Sequence, residues 1–257
     1  MNTGVHDATN LIWKLAGTVK GWYGPGVLAT YAQERRAAAE KLVSIDRLAA
    51  AAASGDIPAG FQQAGMSNED AMWSILETNM SFTIGLGVSY TDKSVISRTP
   101  SVTTLPAGGR SPDALIYPLG PSIPIRLHSI THQGCKGRWS VLVFTGYHYL
   151  TKSKVVALRE RTTDHGSAFA NWAPRLNMAT LTIGHVGSAW EAFDGPALGN
   201  LYFDPEAIAH SRHGVYPNNG GMVIVRPDGV FAFAARLDEL DKIEEFFESV
   251  FISEDAS

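Results

Sequence analysis

The chain has 257 residues, of which 45% are hydrophobic and 18% charged, as in an ordinary globular protein. Its formal net charge of -4, without a basic run or basic helix, argues against nucleic acid or an anionic membrane as a partner. The single cysteine, Cys135, excludes an internal disulfide and a redox-active cysteine pair. With no apolar run of membrane-spanning length and no secretory signal pattern, the sequence predicts a soluble, cytoplasmic protein.

Residues 1 to 54 are predicted to form two helices. In the first, apolar residues recur with the helical period and predict one buried face, made of Val5, Ala8, Leu11, Ile12, Leu15 and Val19. Thr3 is its expected N-cap and Gly21 its expected stop. The second helix starts at Pro25 and carries the stripe Leu28, Tyr31, Arg35, Ala38, Leu42 and Ile45. Glu34 and Arg35 either form a solvated charge pair, or Arg35 on the stripe must find an acceptor or extend to solvent.

Residues 55 to 112 are mixed. The segment DAMWSILETNMSFTIGLGVSY is predicted to run from a helix into a strand, FTIGLGVSY, in which Gly85 and Gly87 are strand glycines. The segment PSVTTLPAGGRSP is rich in Pro, Gly and Ser and lacks periodicity, which makes it the best candidate for a domain boundary.

Residues 113 to 252 alternate between strand and helix patterns. The predicted order is a buried strand WSVLVFTGY, a strand in LNMATLTIGHVG, a short helix in DPEAIAHSRHG and a hairpin of GMVIVR and VFAFAA around the turn Pro227-Asp228-Gly229. A last helix follows in LDELDKIEEFFESVF. A helix behind a final hairpin predicts an α/β fold with a thioredoxin-like arrangement.

The first chemical candidate is the start of the first helix, at Met1, Asn2, Thr3 and Gly4. Free backbone N–H groups and the positive end of the helix dipole favour an anionic or electron-rich ligand atom there, and Gly4 would allow close approach. The alternative is an ordinary helix cap, which residue composition alone favours.

A second candidate is the set His128, His132 and Cys135, whose spacing could bring three zinc-type donors together. No fourth ligand or neighbouring catalytic carboxylate is evident, so polar residues leading into a strand are the better interpretation. The chain has no GxSxG motif and no cysteine with a nearby base. We therefore assign no catalytic residue and no metal ligand.

Two blocks of the sequence together resemble a known family. MNTGVHDATNLIWKL followed by GPGVLATYAQERRAAAEKLVSIDR resembles the end of the FAD domain in flavin-dependent aromatic hydroxylases of the phenol 2-monooxygenase type. The matching positions are Asn2, Thr3, Gly4, Asp7, Ala8, Asn10, Leu11, Trp13, Lys14, Leu15, Tyr31, Glu34, Arg35 and Arg36. SFTIGLGVSY, GRSPDALI and IVRPDGVFAF are similar to later family segments, so the resemblance covers essentially the whole chain.

The resemblance implies three parts. Residues 1–54 would be the last helices of the FAD-binding domain, 55–112 a return segment and linker, and 113–257 a thioredoxin-like domain used for homodimer contacts. It also implies that Met1, Asn2, Thr3 and Gly4 face the pyrimidine edge of FAD, where the helix dipole would stabilise negative charge. The family uses NADPH and a flavin C4a-hydroperoxide to hydroxylate a phenolic substrate.

The family's GxGxxG unit and its substrate-binding sheet have no counterpart in these residues, so the resemblance implies a truncated enzyme. We expect no monooxygenase turnover and at most weak FAD binding from the chain alone. The two N-terminal helices should then expose an apolar surface and tend to associate. Two other possibilities stay open: a short product whose thioredoxin-like domain is an association module, and a zinc protein.

Overall fold

The N-terminal part of the chain is helical. The computed structural model describes residues 2–56, 59–63, 65–90, 94–96, 102–120, 123–184 and 192–252. Its first four helices are α1 (Asn2–Val19), α2 (Pro25–Ser54), α3 (Ala59–Gln63) and α4 (Asn68–Thr83). Helix α2 starts with proline in its first turn and ends at Gly55, whose φ of 93° permits a left-handed cap. The two predicted N-terminal helices are therefore present.

The rest of the chain is built on one mixed sheet. Within the described residues the strands have the order β2-β1-β5-β4-β3-β6-β7. They are β1 (Leu115–Pro118), β2 (Ile125–Arg126), β3 (Trp139–Gly146), β4 (Leu176–Thr182), β5 (Asn200–Phe203), β6 (Gly221–Val225) and β7 (Phe231–Ala235). β3 pairs in parallel with β4, and β4 with β5; the remaining pairs are antiparallel.

Within the described part of the sheet region, the α-helices are α5 (His148–Thr163), α6 (Ala168–Trp172), α7 (Ile208–Arg212) and α8 (Leu240–Glu248). The predicted mixed α/β class is confirmed. All eight residues of β3 are buried, as its continuous apolar run predicts. The Pro227-Asp228-Gly229 turn does connect an antiparallel hairpin, and α8 follows it. The residues after 184 in LNMATLTIGHVG lie outside those described.

Helix α1 buries a different face from the one predicted. Asn10, Trp13, Lys14 and Gly17 are buried, whereas Ile12 is 67% exposed and Val19 is 80% exposed. Val5, Ala8 and Leu15 are exposed with them. The apolar period was identified correctly, but the assumption that it marks the buried face was wrong, because Trp13 and a set of charges form the contact with the rest of the chain.

The α1–α2 corner shares a hydrophobic core with the sheet region. Trp13, Tyr23 and Val27 belong to the same buried cluster as Trp139 of β3 and Phe247 of α8. The Trp13 and Trp139 rings meet edge to face at 5.6 Å, and the indole N–H of Trp139 donates to the Tyr23 hydroxyl at 3.0 Å. The Tyr23 backbone also forms a bridge with Phe251. The helices are thereby packed directly against the sheet region.

The predicted strand FTIGLGVSY was wrong. Helix α4 continues through Thr83, residues 84–87 form a turn and a bend, and residues 88–90 have no regular secondary structure. Ile84 and Leu86 are exposed, so this glycine-containing run has no sheet to join. Among the described residues, no helix has both the length and the apolar character needed to cross a membrane.

Candidate functional site

The start of α1 is open on the side of Gly4. The helix begins at Asn2, and Thr3, the expected cap, lies inside its first turn. A Cβ added to Gly4 would meet no atom within 4 Å, so a ligand could approach the backbone closely there. The first N–H groups of a helix have no intrahelical partner, so they can donate hydrogen bonds to an electron-rich ligand atom at this end. Met1 lies outside the described residues.

A buried carboxylate, Glu34 of α2, anchors the opposite face of α1. Lys14 Nζ forms an ion pair with Glu34 Oε2 at 2.9 Å, though without a well-aligned hydrogen bond. Asn10 Nδ2 donates to the same oxygen at 2.5 Å. Lys14 is fully buried and Glu34 nearly so. The two helices are therefore held together through polar groups as well as by apolar packing.

Arg226 extends this cluster into the sheet region. It lies at the end of β6, is fully buried, and donates from both terminal nitrogens to Glu34, at 3.0 Å each. Its Nε and Nη2 donate to Asp228 at 3.0 and 2.6 Å. The guanidinium also lies over the rings of Trp13 and Tyr90, at 5.1 and 5.0 Å from their centroids. One arginine thus links α1, α2 and the β6–β7 turn.

A second ion pair lies closer to the start of α1. Arg35 donates to Asp7, in the second turn of α1, and its Nη1 donates to the Tyr90 hydroxyl at 3.4 Å. Asn10 donates to the same hydroxyl at 3.2 Å. We call the whole set the ionic junction: Asp7, Asn10, Lys14, Glu34, Arg35, Tyr90, Arg226 and Asp228. Its three cations and three carboxylates balance.

The pKa values show what holds these charges. Burial alone would raise the pKa of Glu34, but the charges of Arg226 and Lys14 and the hydrogen bonds from Arg226 and Ser94 lower it to about 2. Burial lowers the pKa of Lys14 to about 8, against the opposing effect of Glu34. Burial opposes the charge of Arg226 too, but Asp228 and Glu34 raise its pKa. The carboxylate and the guanidinium are therefore ionised together.

His6 connects the start of α1 to the α4–β1 connection. It is half-buried, and a Cβ added to Gly85 would lie 2.1 Å from its Nε2. Gly85 has a φ of 87°, so both the backbone and the contact require glycine. Burial and the charges of Arg35 and Arg110 lower the pKa of His6. Gly85 is therefore a turn glycine under His6, which corrects its interpretation as a strand residue.

His128, His132 and Cys135 do not form a metal-binding cluster. Across the described residues, no three side chains of the His, Cys, Asp and Glu types converge on one point. His128 Nε2 lies 2.8 Å from the Ser111 carbonyl, and the Cys135 thiol donates to the His132 carbonyl at 3.1 Å. Burial lowers the pKa of His132 to about 4 and raises that of the Cys135 thiol. These three residues are engaged in local hydrogen bonds.

A further cavity among the described residues lies away from the start of α1. It is a groove of about 830 Å³ between the beginning of α2, residues 94–96 and α8. Val27, Phe246 and Phe251 line its apolar wall, and Lys242 and Glu245 lie at its edge. No residue of the ionic junction lines it.

The sequence indicated five of the eight members of the ionic junction. Asp7, Asn10, Lys14, Glu34 and Arg35 all lie in the two N-terminal blocks that carry the family resemblance. Arg226 and Asp228 were noted only as parts of a hairpin. An arginine in the buried run GMVIVR, with an aspartate two residues later, was the available signal, because a buried arginine requires carboxylate partners.

Two families of known proteins match this chain. Residues 1–46 match the FAD binding domain family, and residues 173–255 match the family of the phenol hydroxylase C-terminal dimerisation domain. The first match contains α1 and most of α2, including five members of the ionic junction. The second contains β4 to β7 and α8, with the other two charged members.

Individual proteins agree with these matches. The chain is 28% identical to an FAD-dependent monooxygenase from Aspergillus hancockii, over 98% of this chain and 48% of that protein. It is 24% identical to a phenol 2-monooxygenase from Aspergillus fumigatus, over 97% of this chain and 44% of that protein. The chain thus spans less than half the length of these relatives.

A solved structure agrees on the fold. It is the crystal structure of the flavin-dependent monooxygenase PieE in complex with FAD and substrate, with a TM-score of 0.59 and 21% identity, over 96% of this chain and 44% of that one. The FAD binding domain match covers the N-terminal helices, and the dimerisation domain match covers part of the sheet region. By these matches the chain is similar to FAD-dependent monooxygenases, among them a phenol 2-monooxygenase, and its two ends match the FAD binding domain family and the phenol hydroxylase dimerisation domain family.

Proposed function

We propose that these residues are part of an FAD- and NADPH-dependent enzyme that hydroxylates a phenolic ring. In this proposal residues 1–54 are the last helices of the FAD-binding domain, 55–112 a return segment and linker, and 113–257 a thioredoxin-like domain that pairs two subunits. The observation that carries the proposal is the start of α1: an open, glycine-containing helix end within the segment that matches an FAD binding domain.

The start of α1 has the properties that a flavin would need. Backbone N–H groups of Asn2, Thr3 and Gly4 would face the pyrimidine edge of FAD and favour negative charge on it. Asp7 would oppose that charge, but its carboxylate is paired with Arg35. Bound flavin would supply the oxygen-activating chemistry. The role of this chain is to place a positively polarised helix end and hold it still through the ionic junction.

The exposed apolar faces of the N-terminal helices fit this proposal. Val5, Ile12 and Val19 of α1 lie on one side, and Trp73 and Met80 of α4 are exposed as well. Contiguous apolar surface of this kind is a mark of protein contact. We propose that further polypeptide of the enzyme covers it, and that the 257 residues alone neither turn over substrate nor hold FAD stoichiometrically.

The test compares two purified products: the 257-residue chain and the product of the longest reading frame that contains it. We expect the longer product to carry FAD and to oxidise NADPH in response to a phenol, and the 257-residue chain to do neither. Flavin absorbance and oxygen uptake measure both. If the 257-residue chain bound stoichiometric FAD and turned over a phenol, our proposal that it does neither alone would be rejected.

A pair of variants of the longer product tests the helix end. Gly4→Leu should weaken FAD binding by tenfold or more, because a side chain would fill the approach to the backbone, an effect of roughly 1.4 kcal/mol. Gly26→Leu is the matched control, since Gly26 is also in the first turn of a helix with nothing within 4 Å of its Cβ position. Equal FAD affinity of both variants would remove α1 from the flavin site.

The second candidate function is a non-enzymatic association module. It is favoured by the match of residues 173–255 to a dimerisation domain and by the large buried cluster of the sheet region. If the longest reading frame ends at the 257 residues, and the product binds no FAD but forms a stable dimer, this function replaces the first.

A further inference from the structure

We propose that two copies of this chain pair through an aromatic surface at the start of α5. We call it the α5 surface and define it by Tyr147, Tyr149, Leu150 and Tyr216. The inference rests on the proposed function in one respect, the pairing of subunits through residues 113–257. It adds the location of the contact, which the match to a dimerisation domain does not give.

The α5 surface concentrates exposed aromatic area. Tyr149 is 70% exposed, Tyr216 is 61% exposed and Leu150 is 50% exposed. The rings of Tyr147 and Tyr149 stack, with centroids 5.6 Å apart and planes 20° apart. Tyrosines are enriched in protein interfaces because they bury a large area at a small cost in side-chain entropy. An exposed tyrosine stacked on a half-buried one suits such a contact.

The backbone beneath this surface is closely packed. The Tyr147 N–H donates to the Pro217 carbonyl at 2.8 Å, which ties the start of α5 to the loop that carries Tyr216. A Cβ added to Gly146 would lie 2.0 Å from that carbonyl oxygen, so only glycine permits the approach. Because these elements are already ordered, pairing would cost little conformational entropy.

A shallow groove lies beside the aromatic residues. It has a volume of about 490 Å³ and runs along α5 past Ser153, Val156 and Ala157, with Tyr149 and Leu150 at one end. In a twofold contact each copy presents the same surface to the other. A projecting ring beside a groove lined by small side chains can therefore fit the same pair of features on the partner. Tyr149 of one copy would enter the groove of its partner.

Charged residues border the groove. Lys152 and Asp194 form an ion pair at 2.7 Å, and Glu160 lies at the far end. An apolar centre with a polar rim is the usual anatomy of a protein interface. A second copy is the occupant we infer, because Tyr216 lies within the segment that matches a dimerisation domain.

The test is the oligomeric state of the full 257-residue chain, measured by sedimentation velocity over a concentration series. We expect a dimer whose dissociation constant rises about 30-fold in Tyr149→Glu, the loss typical of a central interface aromatic. Leu115→Glu is the matched control: Leu115 is an exposed apolar residue of the same sheet region, in β1. It should change the constant less than threefold. Circular dichroism checks that both variants are folded.

A second variant gives an independent positive result. Cys135 is buried, so Ser153→Cys would introduce the single accessible thiol. Mixed with Leu150→Cys, which keeps Tyr149 in place, it should form a disulfide-linked dimer under mild oxidation, whereas Leu115→Cys mixed with Leu150→Cys should not.

The outcomes separate this inference from the proposed function. A wild-type dimer that persists in Tyr149→Glu, without the cross-link, overturns the α5 surface and leaves pairing intact. A dimer that dissociates in Ile12→Glu but not in Tyr149→Glu places the contact on α1 and overturns it as well. A monomeric wild type at all concentrations rejects pairing itself, while FAD binding by the longer product is judged separately.

Discussion

The N-terminal helices and the sheet region arrange polar and apolar side chains in opposite ways. Helix α1 buries Asn10 and Lys14 and exposes Ile12 and Val19, whereas all eight residues of β3 are buried in an apolar core. The helices meet the sheet region through one aromatic corner and an ionic junction. The sheet region is held mainly by apolar packing of the kind that most domains use.

This difference bears on what each region can do alone. Apolar packing is tolerant of direction, but a guanidinium with two carboxylates fits only one arrangement. The ionic junction therefore fixes how α1 points and where its N-terminal end lies. The N-terminal helices leave large apolar side chains exposed, whereas the sheet region buries most of its apolar side chains in a core. Four predictions test this contrast.

The largest expected effect is on the ionic junction. Arg226→Leu should lower the free energy of unfolding by about 3–5 kcal/mol, because it leaves Glu34 and Asp228 buried without their common partner. Urea unfolding measures it. Arg236→Leu is the matched control, since Arg236 is half exposed and pairs with surface carboxylates; its loss should stay below about 1 kcal/mol. Equal losses in both variants would show that the buried junction contributes no more to the free energy of unfolding than a surface ion pair does.

Acid titration should distinguish the contribution of Glu34 from that of buried His213. Burial lowers the pKa of His213, in the sheet region, from 6.5 to about 4, so the unfolded chain binds the proton first and stability falls as the pH drops from 6.5 to 4. The pKa of Glu34 is lowered from 4.5 to about 2, so the stability that its ionised form contributes is present above pH 4.5 and is lost between 4.5 and 2.

The size and the control follow from the same residues. The Glu34 step amounts to roughly 3 kcal/mol, since one pKa unit corresponds to about 1.4 kcal/mol. Glu34→Gln should abolish the step that Glu34 contributes below pH 4.5 and leave the slope between 6.5 and 4.5 unchanged. Unfolding free energies measured at intervals of half a pH unit would reveal it. A wild type and Glu34→Gln with parallel curves throughout would contradict the ionised state of Glu34 in the fold.

The sequence predicted the sheet region better than the helical region. β3, the β6–β7 hairpin and α8 follow from local patterns, because their apolar periods match the faces that they bury. For α1 the period was right and the buried face wrong, since the pattern cannot say that Lys14 and Asn10 meet Glu34 and Arg226. Arg226 is 192 residues from Glu34 in the chain, and such pairing is invisible to local patterns.

The helix end proposed as the site was predicted from the sequence, but the contacts that support this helix end were not. Thr3 and Gly4 lie at a helix end, as expected from the two family blocks. Two of these supporting features depend on tertiary contacts. Asp7 and Arg35 neutralise each other, and Gly85 packs against His6. Glycines in an apolar run look the same in a strand and in a turn, because the sequence does not show which φ they adopt.

A smaller effect is expected at Gly85, where the turn supports the start of α1. Gly85→Ala should lower the free energy of unfolding by about 1–2 kcal/mol from the left-handed backbone alone, and the added Cβ must also displace His6. Gly26→Ala, at an open helical position, should not destabilise the chain. Histidine NMR resonances would show whether His6 moves. A Gly85→Ala variant with unchanged stability and unchanged His6 signals would contradict this support.

The smallest effect is expected on the exposed face of α1. Ile12→Ala should change the free energy of unfolding by less than about 0.5 kcal/mol, because the side chain loses little buried area. Ile224→Ala, the same substitution at a fully buried site in β6, should cost about 2–5 kcal/mol. Ile12→Ala should instead reduce concentration-dependent light scattering, since it removes part of an exposed apolar surface. Comparable losses of stability in both variants would mean that α1 is covered in solution, and the contrast between the two regions would disappear.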